Sequence, residues 1–289
     1  MTAAPGRHPD EDLLAPMVAA ARAAGAAILE IYRDADHGIT RKQDDSPLTR
    51  ADIAAHHLIR RHLRDGADLP LLSEESRLAP WEERRHWRRY WLVDPLDGTR
   101  EFIRRNGEFT VNIALVDDGV AVLGVILAPV PGRLYIGQRL GDDPALWRAS
   151  RQVNGAEPEA IGTRPLVARS AASPFTLVAS SRHGGDHSAG LSRRLASAFG
   201  PLRRQTLGSS LKMCLIAEGS ADLYLRLGPT GEWDTAAAQA IVEAAGGQLC
   251  DLEGAPRRYN RRPDAINPAF YAAGDAAADW PGLFAGLRD

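Results

Sequence analysis

The stretch Asp94-Pro95-Leu96-Asp97-Gly98-Thr99 follows the apolar run Trp91-Leu92-Val93 and comes after the acidic pair Glu74-Glu75. A short strand that ends in two carboxylates three positions apart, then a glycine turn, holds hard oxygen ligands at a rigid edge. Ligands of that kind suit Mg2+. Glu74, Asp94 and Asp97 are joined in this reading by Asp234, which opens a helix in Trp233-Asp234-Thr235-Ala236-Ala237-Ala238 just as Asp97 closes a strand. Four carboxylates converging in one cleft cannot stay ionised without compensating cations. Two or more Mg2+ ions supply that compensation and leave positions for phosphate oxygens. Singly, each acid also has an ordinary reading: Asp97 as a turn residue, Asp234 as an N-cap, Glu74 as a surface charge.

Working outward, Thr49 and Asp52 form a Thr-x-x-Asp pair at a predicted helix start, the signature of a capping box. The same residues allow a second role, in which Asp52 hydrogen-bonds the Thr99 hydroxyl so that Thr99 orients and deprotonates an attacking water. Gly208-Ser209-Ser210-Leu211-Lys212 enters a predicted helix whose amides and dipole favour an anion, with Lys212 adding a point charge one turn in. Read structurally, the same segment is an N-capped helix with a solvated lysine. Ser180-Ser181-Arg182-His183, after a strand, is either a nucleotide grip or an exposed loop.

With 289 residues, 44% hydrophobic and 25% charged, the chain is long enough for a substantial core. Its formal charge of −2 hides blocks such as Glu82-Glu83-Arg84-Arg85-His86-Trp87-Arg88-Arg89, read as a solvated helical face and not a nucleic-acid track. Two cysteines, Cys214 and Cys250, provide neither a disulfide framework nor a thiolate zinc site, and they suit a reducing cytoplasm. Acidic residues precede the Ala-rich stretch from Leu13 to Ile31 and Arg22 interrupts it, unlike a signal core. No run approaches the roughly 18 uninterrupted apolar residues of a spanning helix.

Apolar residues at helical spacing from Leu13 to Tyr32 predict a first amphipathic helix ending near Gly38, and a second runs from Thr49 to Gly66. After Leu69 to Leu72 the pattern turns to strands, at Trp91–Val93, Val111–Val116, Val120–Leu127 and Leu134–Gly137, with Asp117-Asp118-Gly119 turning a hairpin. Strands and helices then alternate, which divides the chain into an N-terminal α+β half, 1–165, with an antiparallel sheet and most metal ligands, and a C-terminal α/β half, 166–289, carrying Asp234. There is no P-loop, no Asp-x-Asp of an aspartyl-phosphate enzyme and no EF-hand spacing. Direct attack on phosphorus by a metal-activated water is the remaining route.

Asp94-Pro95-Leu96-Asp97-Gly98-Thr99, with Glu74-Glu75 upstream and Trp233-Asp234-Thr235-Ala236-Ala237 downstream, resembles the lithium-sensitive, magnesium-dependent inositol monophosphatase superfamily. Within it, Asp97 to Ile103, Asn106 to Leu115 and Gly208 to Lys212 are similar to the bacterial CysQ type of 3'(2'),5'-bisphosphate nucleotidase. The resemblance implies an α/β/α/β/α layered sandwich of the inositol monophosphatase and fructose-bisphosphatase type. It also implies a phosphoric monoester hydrolase that removes the 3'-phosphate of adenosine 3',5'-bisphosphate, a by-product of sulfate assimilation, and extends to its sulfated relative. By position, Glu74, Asp94 and the Leu96 carbonyl would hold one Mg2+, and Asp94, Asp97 and Asp234 a second, with Glu74 touching a third. Gly98 and Thr99 would contact the departing phosphate, Thr99 and Asp52 would activate water, and Ser180, His183, Gly208 and Lys212 would contact the nucleotide. A cytoplasmic location and a monomer or homodimer are expected; a peripheral association on the cytoplasmic side of the inner membrane is attributed to the family, and no amphipathic basic helix argues for it in this sequence. An inositol or sugar phosphatase with the same metal site, and a non-catalytic nucleotide sensor, are the alternatives.

Overall fold

Burial of two helices on one face of the strand that ends in Asp97 begins the fold. The computed structural model describes residues 10–34, 38–41, 47–166, 170–180 and 187–285. Helix α1 (Glu11–Arg33) buries Met17, Ala20, Ala21, Ala24, Gly25 and Ile28, a stripe at helical spacing. It stops at Asp34, whose backbone is extended, short of the predicted end near Gly38. A two-residue ladder of β1 (Thr40–Arg41) and β2 (Pro47–Leu48) leads into α2 (Arg50–Gly66). There follow β3 (Leu71–Ser73), α3 (Trp81–Arg84), β4 (Arg89–Asp97), α4 (Thr99–Ile103), β5 (Thr110–Asp117), β6 (Val120–Ala128), β7 (Arg133–Gln138), β8 (Arg148–Val153) and β9 (Glu159–Ala160). Strands β3 to β9 lie side by side in chain order, with β3 parallel to β4 and every later pair antiparallel. The predicted hairpin turns at Asp118 and Gly119, both at positive φ, the backbone that a two-residue loop needs to follow the strand twist.

The second half runs β10 (Phe175–Ala179), α5 (His187–Phe199), β11 (Leu202–Thr206), α6 (Leu211–Ala217), β12 (Leu223–Arg226), β13 (Thr230–Gly231), α7 (Ala236–Ala244), β14 (Gln248–Asp251), β15 (Ile266–Asn267), β16 (Phe270–Ala273) and α8 (Trp280–Phe284). Its sheet has the order β11-β10-β12-β16-β14, parallel among the first three and antiparallel at β16. Side chains alternate across β4: Trp91 and Val93 face α1 and α2, while Tyr90 and Leu92 face the layer between the sheets. That middle layer holds α6 and α7, and on the far side of the second sheet Phe175, Leu223 and Tyr271 pack with Leu191 and Leu195 of α5 and with Trp280 and Phe284 of α8. The result is the α/β/α/β/α sandwich.

Helix α7 sits very close to the first sheet because β6 and β7 carry glycine there. A Cβ on Gly124 would stand 2.2 Å from the Ala237 carbonyl oxygen, and one on Gly137 would stand 2.4 Å from Ile241 Cα. One further expectation changes. The block from Glu82 to Arg89 is not a solvated helical face, because α3 ends at Arg84 and Arg89 already belongs to β4. Arg84 is 1% exposed and is held by Asn260 and the carbonyls of Arg262 and Pro263, so its charge is buried with partners. By length and composition α1 is apolar enough to cross a membrane, with a mean hydropathy of 1.5 over 18 residues. Its buried stripe instead packs in the same core as α2, Trp91 and Val93.

Candidate active site

One β-bulge creates the acid cluster. Asp94 pairs with Asn112 and Asp97 with Thr110, so three steps along β4 match two along β5. Residues an odd number apart on a regular strand point to opposite faces, and the extra residue restores a common face. Pro95, which cannot donate to a ladder, lies inside the bulge. The Asp94 carboxylate accepts a hydrogen bond from the Leu96 amide at 3.0 Å and so clamps the distortion it occupies. Asp97 Oδ2 accepts from the Ser210 amide at 2.7 Å, lies 2.6 Å from the Ser210 hydroxyl, and receives Asn112 Nδ2 at 3.2 Å.

Asp234 arrives from the other half, at the end of a 3-10 turn, Glu232–Asp234, that precedes α7. It does not open the helix directly as the sequence suggests; its carboxylate folds back to accept the Gly231 amide at 3.0 Å. Ligand oxygens of Asp94, Asp97 and Asp234 all lie within 4.8 Å of one another. Glu74 follows β3, whose last residue, Ser73, pairs with Val93, so it stands beside Asp94, to which it is hydrogen-bonded. Burial, and then the charges of Glu74, Asp97 and Asp234, push the Asp94 carboxyl well above the ordinary range. Asp234 is raised in the same direction by burial and by Asp97 and Glu74. Acids so placed favour either protons or cations, and a donor set made only of hard oxygens fits a divalent ion such as Mg2+.

Asp52 is fully buried, and its two carboxylate oxygens bond both Thr49 and Thr99. Its Oδ2 accepts from the Thr49 amide at 2.8 Å and the Thr49 hydroxyl at 2.5 Å, closing the capping box of α2. Its Oδ1 accepts from the Thr99 hydroxyl at 3.2 Å, and that hydroxyl lies 3.4 Å from the Leu96 carbonyl. Gly98, at φ 95°, makes the turn between Asp97 and Thr99.

Beside the acids opens a cavity of about 180 Å³ lined by Asp97, Gly98, Ser180, Gly208, Lys212 and Asp234 among others. The start of α6 is already engaged by protein carboxylates: Gly208 donates its amide to Glu108 at 2.9 Å and Ser210 donates to Asp97. Lys212 is buried, donates Nζ to the Ser209 carbonyl at 2.5 Å and stands 5.2 Å from the Tyr224 ring, and burial pulls its ammonium below the ordinary value. His183, with Ser181 and Arg182, lies outside the described residues. Ser210 and Asn112, which hold Asp97, and Arg226 and Tyr224 in the cavity wall carry no local pattern that marks them in sequence for these places.

A layered fold with an acid cluster at the meeting of its halves defines a class of metal-dependent phosphatases, and the chain belongs to the inositol monophosphatase family, whose sequence profile matches residues 10–279. The relatives are narrower in kind. The chain is 46% identical over 252 residues to the 3'(2'),5'-bisphosphate nucleotidase CysQ of Salmonella typhimurium (strain LT2), covering 86% of this chain and 95% of that protein. It is 44% identical over 253 residues to the nucleotidase CysQ of Escherichia coli (strain K12), at the same coverage. The crystal structure of CysQ from Bacteroides thetaiotaomicron superposes with a TM-score of 0.76 at 38% identity, over 92% of this chain and 98% of that one.

Proposed function

We propose that this protein is a 3'(2'),5'-bisphosphate nucleotidase that hydrolyses the 3'-phosphate of adenosine 3',5'-bisphosphate to AMP and phosphate, and that it also accepts the sulfated relative of that substrate. The observation that carries the reading is the 4.8 Å cluster of Asp94, Asp97 and Asp234 on the wall of a cavity, in a chain 46% identical to a nucleotidase. Glu74, Asp94 and the Leu96 carbonyl would hold one Mg2+, Asp94, Asp97 and Asp234 a second, and Glu74 would reach a third. Bound there, the ions supply Lewis-acid compensation for charge on the entering and departing oxygens.

The chain's own groups do the rest. Asp52, locked by Thr49, accepts the Thr99 proton, which turns a lone pair of Thr99 Oγ1 toward an incoming water and lets the pair draw off its proton. Gly98 and Thr99 face the phosphate, and Ser180, Gly208, Lys212 and the undescribed His183 serve the nucleotide. The enzyme works as a monomer or homodimer in the cytoplasm, in keeping with two free, buried cysteines. Initial rates with adenosine 3',5'-bisphosphate, inositol 1-phosphate and fructose 1,6-bisphosphate test the assignment: the nucleotide is expected to be turned over fastest, and a clear preference for either of the others overturns it.

A further inference from the structure

The far end of α7 from Asp234 borders a second cavity, of about 280 Å³, which the proposed reaction does not use. Its lining includes Arg139, Trp147, Gln239, Glu243, Arg257 and Arg258, three guanidinium groups against one carboxylate. Arg139 is shared between Glu243, at 2.5 Å, and the face of Trp147, 4.4 Å from the ring centre. The Nε atoms of Arg139 and Arg257 are buried and meet no acceptor, and the exposed Arg258 adds a third positive charge that acts on Glu243. An excess of positive charge walled by an aromatic ring suits an oxyanion, because guanidinium forks match tetrahedral oxygens.

A buried polar chain leads from this cavity to the acid cluster. Gln239 Nε2 donates to Glu243 at 2.7 Å and to the Arg257 carbonyl at 3.2 Å. The Tyr259 hydroxyl donates to Gln239 Oε1 at 2.6 Å and lies 3.3 Å from the Thr235 hydroxyl, next in sequence to Asp234. Asn267 donates to Thr235 at 3.0 Å and to the Gly231 carbonyl, and Gly231 is the residue whose amide holds Asp234. Gln239, Tyr259, Thr235 and Asn267 are each at most 1% exposed, so water does not short-circuit these bonds. Helix α7 spans roughly 10 Å between Ala236, two residues past Asp234, and Glu243 at 1.5 Å per residue.

We propose that the cavity bounded by Arg139, Trp147, Arg257 and Arg258 is a second binding site, for a small tetrahedral oxyanion or its organic ester. Its occupancy acts on Asp234 through the Glu243–Gln239–Tyr259–Thr235 chain. The discrete event is the exchange of Arg139 from Glu243 to the anion, which leaves Glu243 to Gln239 and alters the bond that Gln239 makes with Tyr259.

The test titrates sodium sulfate, against sodium chloride at constant ionic strength, into metal-free protein, whose bare acid cluster repels anions. Tryptophan fluorescence and calorimetry should both report saturable binding. It should weaken about tenfold in Arg257→Gln/Arg258→Gln, the loss expected when charge-assisted bonds are removed, and persist in Lys212→Gln. Circular dichroism checks that the double variant is folded, and Trp147→Phe should lose the fluorescence change while calorimetry still detects the anion. No saturable binding, or equal binding in the double variant, overturns the site. In Mg2+-loaded enzyme, sulfate should change kcat in the wild type and not in the double variant, whereas any competition in KM is common to both. Binding with identical kcat responses retains the site and overturns the coupling. The binding arm uses no substrate, so failure of the nucleotidase assignment does not touch it.

Discussion

Asp94 and Asp97 bring ligand oxygens within 4.8 Å of one another across a bulge in β4, although their odd spacing would set them on opposite faces of a regular strand. The distortion is held at both ends, by the Leu96 amide on Asp94 and by Ser210 on Asp97. Ser210 belongs to the other half of the chain, so the cluster is completed only when the two sheets and the layer between them have packed. Its hydroxyl lies 2.8 Å from the Asp234 carbonyl and thereby ties the two halves of the cluster together.

Asp97→Asn removes one anion from a group of four, of which Asp94 is buried and the rest half-buried, while Asn still accepts a bond from the Ser210 amide. The fold should therefore survive, and the site should lose its grip on metal. We expect kcat to fall by at least about a hundredfold, the scale of a few kcal/mol of lost charge stabilisation. Saturating Mg2+ should stabilise the wild type, by about 2.7 kcal/mol at a hundred times Kd, and the variant much less. Thermal unfolding with and without Mg2+, beside turnover assays, checks both; retained turnover would remove Asp97 from the mechanism.

Asp52 has separable structural and chemical duties. Asp52→Asn keeps an acceptor for the Thr49 amide and should leave stability within about 1 kcal/mol of the wild type, while losing the charge that draws on Thr99. Thr99→Val removes the hydroxyl itself. Each should lower kcat by about 100-fold or more with little change in KM, as for loss of a general base, and Thr99→Ser should restore most of it. Thr49→Ala should show the reverse pattern, a loss of about 1 kcal/mol in urea unfolding with a smaller effect on kcat.

Much of this was legible because local chemistry and global packing agree. Asp117-Asp118-Gly119 can serve only a tight hairpin, and the alternation of Tyr90, Trp91, Leu92 and Val93 marks a strand buried on both faces. The grouping of the acids could be anticipated from the motif around Asp94 and from Asp234. The bulge could not, because it is a mismatch of register against β5 and exists only in the pair. Ser210 meets Asp97 across 113 positions, a contact no local pattern encodes. The segment from Gly208 to Lys212 allows both an anion cradle and a capped helix with a solvated lysine in sequence, and the fold brings Glu108 and Asp97 to its amides and buries Lys212. Arg84 read as solvated because nothing near it in sequence announces Asn260 or Pro263 as partners.

Gly124→Ala probes how strongly the site depends on the seat of α7. The added methyl would stand 2.2 Å from the Ala237 carbonyl oxygen, in rigid helix backbone that can yield only by moving α7 away from the sheet. Overpacking of this kind costs about 1–3 kcal/mol. Because Asp234 sits one turn ahead of that contact, kcat should fall as well, with Mg2+ affinity falling in parallel. Gly155→Ala, at a position where a Cβ meets nothing within 4 Å although φ is +75°, is the comparison: it should cost backbone strain and leave Mg2+ affinity unchanged.

Glu243 supplies a pH test with a definite sign. Burial pushes its carboxyl above the ordinary range, and the Arg139 guanidinium pulls it only part of the way back. Between the unfolded value, about 4.3, and the raised folded value, the native protein holds more of this proton than the unfolded chain does. Stability contributed by the group is thus full below the unfolded value and is lost as pH rises through the folded one. Glu243→Gln has nothing to titrate there, while the acids of the metal cluster titrate alike in both proteins and cancel in the difference. Urea unfolding of the two proteins in EDTA, from about pH 4 to 8, should show the Gln variant gaining on the wild type as pH rises and then levelling. A flat or falling difference would mean that Arg139 satisfies the carboxylate in full, and that the desolvation of Glu243 carries no pH dependence.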